Sequence, residues 1–279
     1  MQKIIVAIDG LKYSESAVEY AVFFAKKTES QLVGVFLEDF TYHSYKLSQL
    51  AGAHGETEEE IEELEKKDAG ARKESVQHFE TRCRQEGIKY AIHYDRSIAL
   101  QELLHETVYA DLLVISGDET LTRYEEEKPT RFVRELLEQS QCPVIVTPPA
   151  FKTIKNVVML YDGEPSSVYA IKTFSYLLNP LRYLVSEMLF VSSHSSSAHI
   201  PDNRLLKEFM KNRFPTVNYK ILVGDAGTEI INHLKETDQY TLVVLGAYRK
   251  GMVSRLVKHT MADILMKSIK APLFISHNK

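Results

Sequence analysis

The strongest constraint on this 279-residue chain is that it repeats itself. The run Ile5-Val6-Ala7-Ile8-Asp9-Gly10 returns as Val158-Met159-Leu160-Tyr161-Asp162-Gly163, an offset of 153 residues, and Asp-Gly closes the apolar run both times. Two later segments return at an offset of 129: Asp111 to Gly117 as Tyr240 to Gly246, and Cys142-Pro143-Val144-Ile145-Val146 as Ala271-Pro272-Leu273-Phe274-Ile275. The offsets differ by 24, so the first copy carries an insertion between about Asp39 and Tyr90, in the acidic stretch around residues 41–70. A chain of this length fits two folding units better than one. Residues 1–150 and 151–279 are therefore expected to be two domains, divided near 148–155 where Pro148-Pro149 interrupts backbone hydrogen bonding.

Each copy alternates short apolar runs with longer segments of helical period, the sequence form of βαβ units and a parallel sheet. Leu112 to Ile115 and Leu242 to Leu245 are apolar without interruption, which predicts strands buried on both faces and helices on both sides of the sheet. Expected strands are 3–8, 31–37, 89–94, 111–116 and 143–147, then 156–161, 184–191, 218–223, 241–246 and 272–276. Thr57 with Glu60 reads as a capping box and Gly87 as a helix stop, with Ile61, Leu64, Val76, Phe79 and Cys83 as the apolar stripe between them. The acidic run Glu56 to Glu65 is read as a solvated helix face. Pro165 is expected at the start of a helix, with Ser166 or Ser167 as its cap.

With 44% apolar and 26% charged residues, no stretch reaches the roughly 18 consecutive apolar residues of a membrane span. Met1-Gln2-Lys3-Ile4-Ile5-Val6 lacks the layout of an export signal, and the only cysteines, Cys83 and Cys142, form neither a disulfide framework nor a metal knuckle. A cytoplasmic protein without membrane partners is expected. Charge divides unevenly: residues 1–150 carry 17 basic and 28 acidic side chains, residues 151–279 carry 17 and 10. The basic residues of the second half are dispersed and accompany no reading motif, which argues against nucleic acid.

A strand ending in Asp-Gly, then a strand ending in Gly, an irregular loop, a helix and Cys/Ala-Pro-Val/Leu, all present twice, resembles the universal stress protein family. The resemblance implies α/β architecture: two tandem open parallel five-stranded sheets with flanking helices, in Rossmann-like order 3-2-1-4-5, with ligands at the carboxyl ends of strands. Nucleotide-binding members share a loop of Gly, two residues, Gly, nine residues, Gly, then Ser or Thr, in which glycines and a helix N-terminus receive phosphate. That spacing falls on Gly246, Arg249, His259 and Thr260 in the second copy, and on Gly117, Thr120, Thr130 and Arg131 in the first. The first loop, Asp118 to Glu127, surrounds the phosphate position with carboxylates, whereas the second carries cations. Asp162, Gly246, Arg249, Lys250 and Thr260 are thus the candidate binding residues, with ATP or another adenine nucleotide, or a small anion, as ligand. The competing reading makes these side chains a basic helix start. Asp9 and Asp162 stand where the family's acid meets adenine and ribose, and each also suits a purely local turn role.

The ten histidines do not cluster, and no Gly-x-Ser-x-Gly, HExxH or Walker-type loop occurs. The run Ser192 to Ser197 reads as a flexible loop. No catalytic or metal-ligating residue is assigned. The expected function is a non-enzymatic stress-response or regulatory protein with nucleotide or anion binding in its second domain. The alternatives are an ATP-binding protein with slow hydrolysis and a ligand-free adaptor that contacts protein partners or forms a homodimer.

Overall fold

The computed structural model describes residues 2–38, 58–95, 98–122, 124–193, 199–237, 240–247 and 260–277. Thr57 of the expected capping box lies outside them, and the side chains of residues 58–61, Glu60 and the stripe residue Ile61 among them, are not described; Arg249, Lys250 and most of the run Ser192 to Ser197 also lie outside. Ten strands form where aliphatic and β-branched residues run together. The first half holds β1 Lys3–Asp9, β2 Gln31–Leu37, β3 Tyr90–Asp95, β4 Leu112–Ser116 and β5 Val144–Thr147. The second holds β6 Asn156–Tyr161, β7 Val185–Ser192, β8 Asn218–Val223, β9 Thr241–Gly246 and β10 Leu273–Ser276. Each end lies within one residue of the expected one. Every residue of β4 is buried, as its unbroken apolar run requires.

Within each half all strands pair in parallel, in the order 3-2-1-4-5. The two units then meet edge to edge at β5 and β10 to make one ten-stranded sheet. This junction, which the repeat did not foretell, is antiparallel: Val146 pairs with Leu273, Ile145 with Phe274 and Val144 with Ile275. At the 129-residue offset Ile145 and Phe274 are counterparts, so the junction is centred on a pseudo-twofold axis. The repeat is thus expressed as an internal pseudo-dimer that closes two sheet edges otherwise open to association.

Successive side chains of a strand point to opposite faces, so Ile4, Val6 and Ile8 of β1 enter one core, and Ile5 and Ala7 the other. The first face is covered by α1 (Glu15–Thr28), α2 (Glu58–Gln85), α5 (Pro165–Leu177) and α6 (Asn203–Lys211). The second is covered by α3 (Ala99–Val108), α4 (Arg131–Gln139), α7 (Ala226–Glu236) and α8 (Met261–Ser268). Among the described residues, no helix is long and apolar enough to cross a membrane. The insertion in the first copy appears as the 28-residue α2, against nine residues in its counterpart α6. Phe79 and Cys83 of its expected stripe are fully buried, and Gly87 follows it at φ 66°. At α5 the expected serine cap is corrected. Pro165 is the first helical residue and Glu164 holds the cap position without a side-chain bond, while the Ser167 hydroxyl donates to the Glu164 carbonyl at 2.8 Å. Proline presets the helical φ and lacks the N–H that a cap would satisfy, so the helix starts there.

The segment after β5 is fastened to α1. Ser16 Oγ donates to the Pro148 carbonyl at 2.6 Å, the Lys152 N–H donates to Tyr20 Oη at 3.2 Å, and the Phe151 ring lies 4.8 Å from that of Tyr20.

Candidate functional site

In an open parallel sheet the ligand crevice lies beyond the carboxyl ends of the strands where connections diverge, here β1 with β4 and β6 with β9. Because β5 and β10 run antiparallel, those two crevices open at opposite ends of the strands. They differ in what fills them.

In the first crevice Asp9 is buried, and its Oδ1 accepts the Leu11 N–H at 2.8 Å, the local turn role. Beside it Glu119, 5% exposed, turns its carboxylate back on the loop, where Oε1 accepts the N–H groups of Thr120 and Leu121, each at 3.0 Å. Burial, and after it the charge of Asp9, push the Glu119 carboxyl up to about 7, against the pull of those two N–H groups and of Lys12. Farther along, Glu126 accepts the Arg131 N–H at 2.7 Å at the start of α4, and Asp118 pairs with Lys128 at 2.8 Å. Helix α2 covers the turn after β1: Ser75 Oγ donates to the Gly10 carbonyl at 2.8 Å, and a Cβ on Gly10 would stand 2.9 Å from the Arg72 stem. The Arg72 guanidinium in turn reaches Glu38 at 3.7 Å. Loop and helix-start amides that would receive a phosphate are already bonded to the chain's own carboxylates.

In the second crevice β6 and β9 are paired neighbours, which brings Asp162 and Gly246 to adjacent strand ends. Asp162 is exposed, with Oδ1 accepting the Glu164 N–H at 2.9 Å. At Gly246 the helix start comes close: a Cβ there would lie 2.5 Å from the Ser166 carbonyl oxygen and 2.9 Å from Ser167 N. Only glycine permits that approach. Thr260 caps α8, its hydroxyl accepting the Asp263 N–H at 3.2 Å while Asp263 Oδ2 accepts the Thr260 N–H at 3.1 Å. In the first half Thr130 caps α4 the same way, accepting from Val133 N at 3.2 Å. The counterpart of Thr260 is therefore Thr130, not Arg131 as fixed spacing had it, and both halves keep the hydroxyl.

Sequence reasoning missed the closure of the first crevice by Glu119, Ser75 and Arg72. Glu119 is one acid among several in its loop, and its only distinguishing signal is its place three residues beyond the fully buried strand β4.

A family model described as the universal stress protein family matches residues 1–148. No curated protein sequence matches the chain significantly. A solved universal stress protein from Archaeoglobus fulgidus DSM 4304 superposes with a TM-score of 0.70 at 17% identity, over 99% of this chain and 98% of that one. A functionally unknown protein from Pseudomonas aeruginosa PAO1 gives 0.60 at 14% identity, over 99% and 92%. At such identities the likeness is one of fold, and it extends over both halves.

Proposed function

The chain belongs to the universal stress protein family, and from that premise we propose that it is a non-enzymatic stress-response or regulatory protein whose second half alone takes an anionic ligand, with ATP or another adenine nucleotide first in line. The observation that carries this reading is the asymmetry of the two crevices. In the first, Glu119 and Glu126 sit on the amides suited to phosphate. The second loop, from Gly246 to Thr260, contains no Asp or Glu and carries Arg249, Lys250, Arg255 and Lys258. In this reading Arg249 and Lys250 pair with the phosphates. The Thr260 hydroxyl, whose oxygen accepts from Asp263, donates its proton to the same group, and Asp162 takes the ribose side.

A second reading, the ligand-free adaptor, is favoured by one fact: Gly246 and Thr260 each have a full structural reason for being there, in helix approach and in capping. Calorimetric titration of the full chain with ATP, ADP, AMP and phosphate separates the two. Saturable binding that weakens about tenfold in Arg249→Ala and falls with added salt is expected. Affinity unchanged by that substitution would remove the site assignment, and no saturable binding would leave the adaptor.

A further inference from the structure

A different place in the second half is shaped for a ligand. Helices α5 and α6 lie side by side on one face of the sheet and enclose a cavity of 450 Å³ under the end of β6. Its walls are Val168, Tyr169 and Lys172 from α5 and Leu205, Leu206 and Phe209 from α6. The spacing is that of two helical stripes facing each other. Leu205 is 59% exposed there, a large apolar side chain left in water. The size falls within the roughly 300–1,000 Å³ of small-molecule sites, and the lining is apolar and aromatic with few polar groups, as such sites are.

The repeat says what is missing from this groove. In the first half the counterpart helices α1 and α2 are tied by Arg82, whose Nε and Nη2 both donate to the Glu19 carboxylate, the latter at 3.0 Å. At the offsets of 153 and 129 the same two positions in the second half are Lys172 and Lys211. An ion pair has become two cations. One turn further along, the Arg213 guanidinium stacks on Phe209 at 4.1 Å and donates to Tyr176 Oη at 3.3 Å. Among the described residues no carboxylate pairs with Lys172, Lys211 or Arg213, and Arg213 Nε is buried without a hydrogen-bond partner. Asp202 stands at the other end of the cavity, beside Tyr161, whose phenol is held above its ordinary range by burial and, after it, by the charge of Asp202.

We propose that the α5–α6 cavity is a binding site for an amphipathic organic acid: a flat or extended apolar body between Tyr169, Leu206 and Phe209, with one anionic group set against Lys172. That group takes the place which the Glu19 carboxylate holds in the first half. Asp202 repels it from the far end and so fixes the direction in which the ligand lies. The site does not rest on the nucleotide reading: it opens between two helices and uses none of Asp162, Gly246, Arg249, Lys250 or Thr260, although Tyr161 and Gly163 at its floor flank Asp162.

The probe is anilinonaphthalene sulfonate, with uncharged N-phenylnaphthylamine as its partner, each titrated by fluorescence into the full chain. Saturable binding of both is expected at one site. Lys172→Glu should weaken the sulfonate at least about tenfold and leave the uncharged probe within about twofold, while Lys172→Arg restores the sulfonate. Lys172→Glu combined with Lys211→Arg writes the first half's ion pair into the groove; it should abolish sulfonate binding and raise the melting temperature, which shows the fold intact. Saturating ATP should not displace the probe. Equal sulfonate affinity in wild type and Lys172→Glu, no saturable binding by wild type, or displacement by ATP would each overturn the proposal.

Discussion

Replacing Glu119 by glutamine tests the closed first crevice most directly. The amide keeps the acceptor oxygen that serves the Thr120 and Leu121 N–H groups and removes only the titrating charge. In the folded chain the carboxyl is raised from 4.5 to about 7. A group raised on folding binds its proton more tightly in the native state, so its contribution is fully present below the unfolded pKa and is lost as pH rises through the folded one. The window thus runs from about pH 4.5 to just above 7. The shift corresponds to about 3 kcal/mol across it, a conversion that suits a side chain only 5% exposed. Wild type should lose that much stability relative to Glu119→Gln between about pH 4 and pH 8.5, roughly 6–12 °C in Tm for a chain of this size. Urea and thermal unfolding of both proteins at matched pH give the difference, in which groups common to both cancel. A stability difference constant across the range would refute the buried-carboxylate account.

Three further outcomes separate structural from ligand-binding roles. Gly246→Ala should destabilise the chain by about 1–3 kcal/mol in thermal unfolding, because its Cβ would meet the Ser166 carbonyl at 2.5 Å. Gly70→Ala, within α2 and open on every side, should instead stabilise it by about 0.5–1 kcal/mol. Thr260→Val should cost about 1 kcal/mol even without ligand, through loss of the α8 capping box, and a melting curve that does not move would place that hydroxyl outside the cap.

The fold was legible because its signals are local and doubled. Unbroken runs such as Leu112 to Ile115 have one home, the middle of a parallel sheet, and finding each run twice fixed the strand ends to within a residue. The β5–β10 seam was hidden because Val144-Ile145-Val146 and Leu273-Phe274-Ile275 read as interior strands whether they meet each other, another chain or nothing. The candidate site was legible only as residue types at a spacing. Gly246 was read as a glycine for phosphate approach, but the backbone that approaches it is that of Ser166, across the sheet from any loop pattern. Glu119 looked like a repelling surface charge, and folding turned it inward onto its own loop. Both facts depend on which way a side chain faces, which spacing alone does not encode.

The charge difference between the halves follows from the same divergence. It is not consumed where they join: the seam is built from Leu273, Phe274 and Ile275 against Val144, Ile145 and Val146. Among the described residues only two ion pairs cross it, Lys267 with Glu127 at 3.7 Å and Arg134 with Asp263 at 3.9 Å. The exposed Lys267–Glu127 pair contributes about 0–1 kcal/mol, and the Arg134–Asp263 contact is at the limit of ion-pair distance. In the first half the chain's own carboxyl groups occupy donors suited to an anion, Glu119 and Glu126 on backbone amides and Glu19 on Arg82. In the second half the corresponding positions hold cations or no acid at all. Lys172 and Lys211 replace the Glu19–Arg82 pair, and the loop from Gly246 to Thr260 carries basic residues only. A half that carries its anions internally gains nothing from binding another. A half that lacks them is stabilised by whatever supplies them, in proportion to the logarithm of ligand concentration over Kd. On the proposed reading, then, the first copy is the self-saturated scaffold and the second the responsive partner, and the apolar seam between them leaves their charge difference in place.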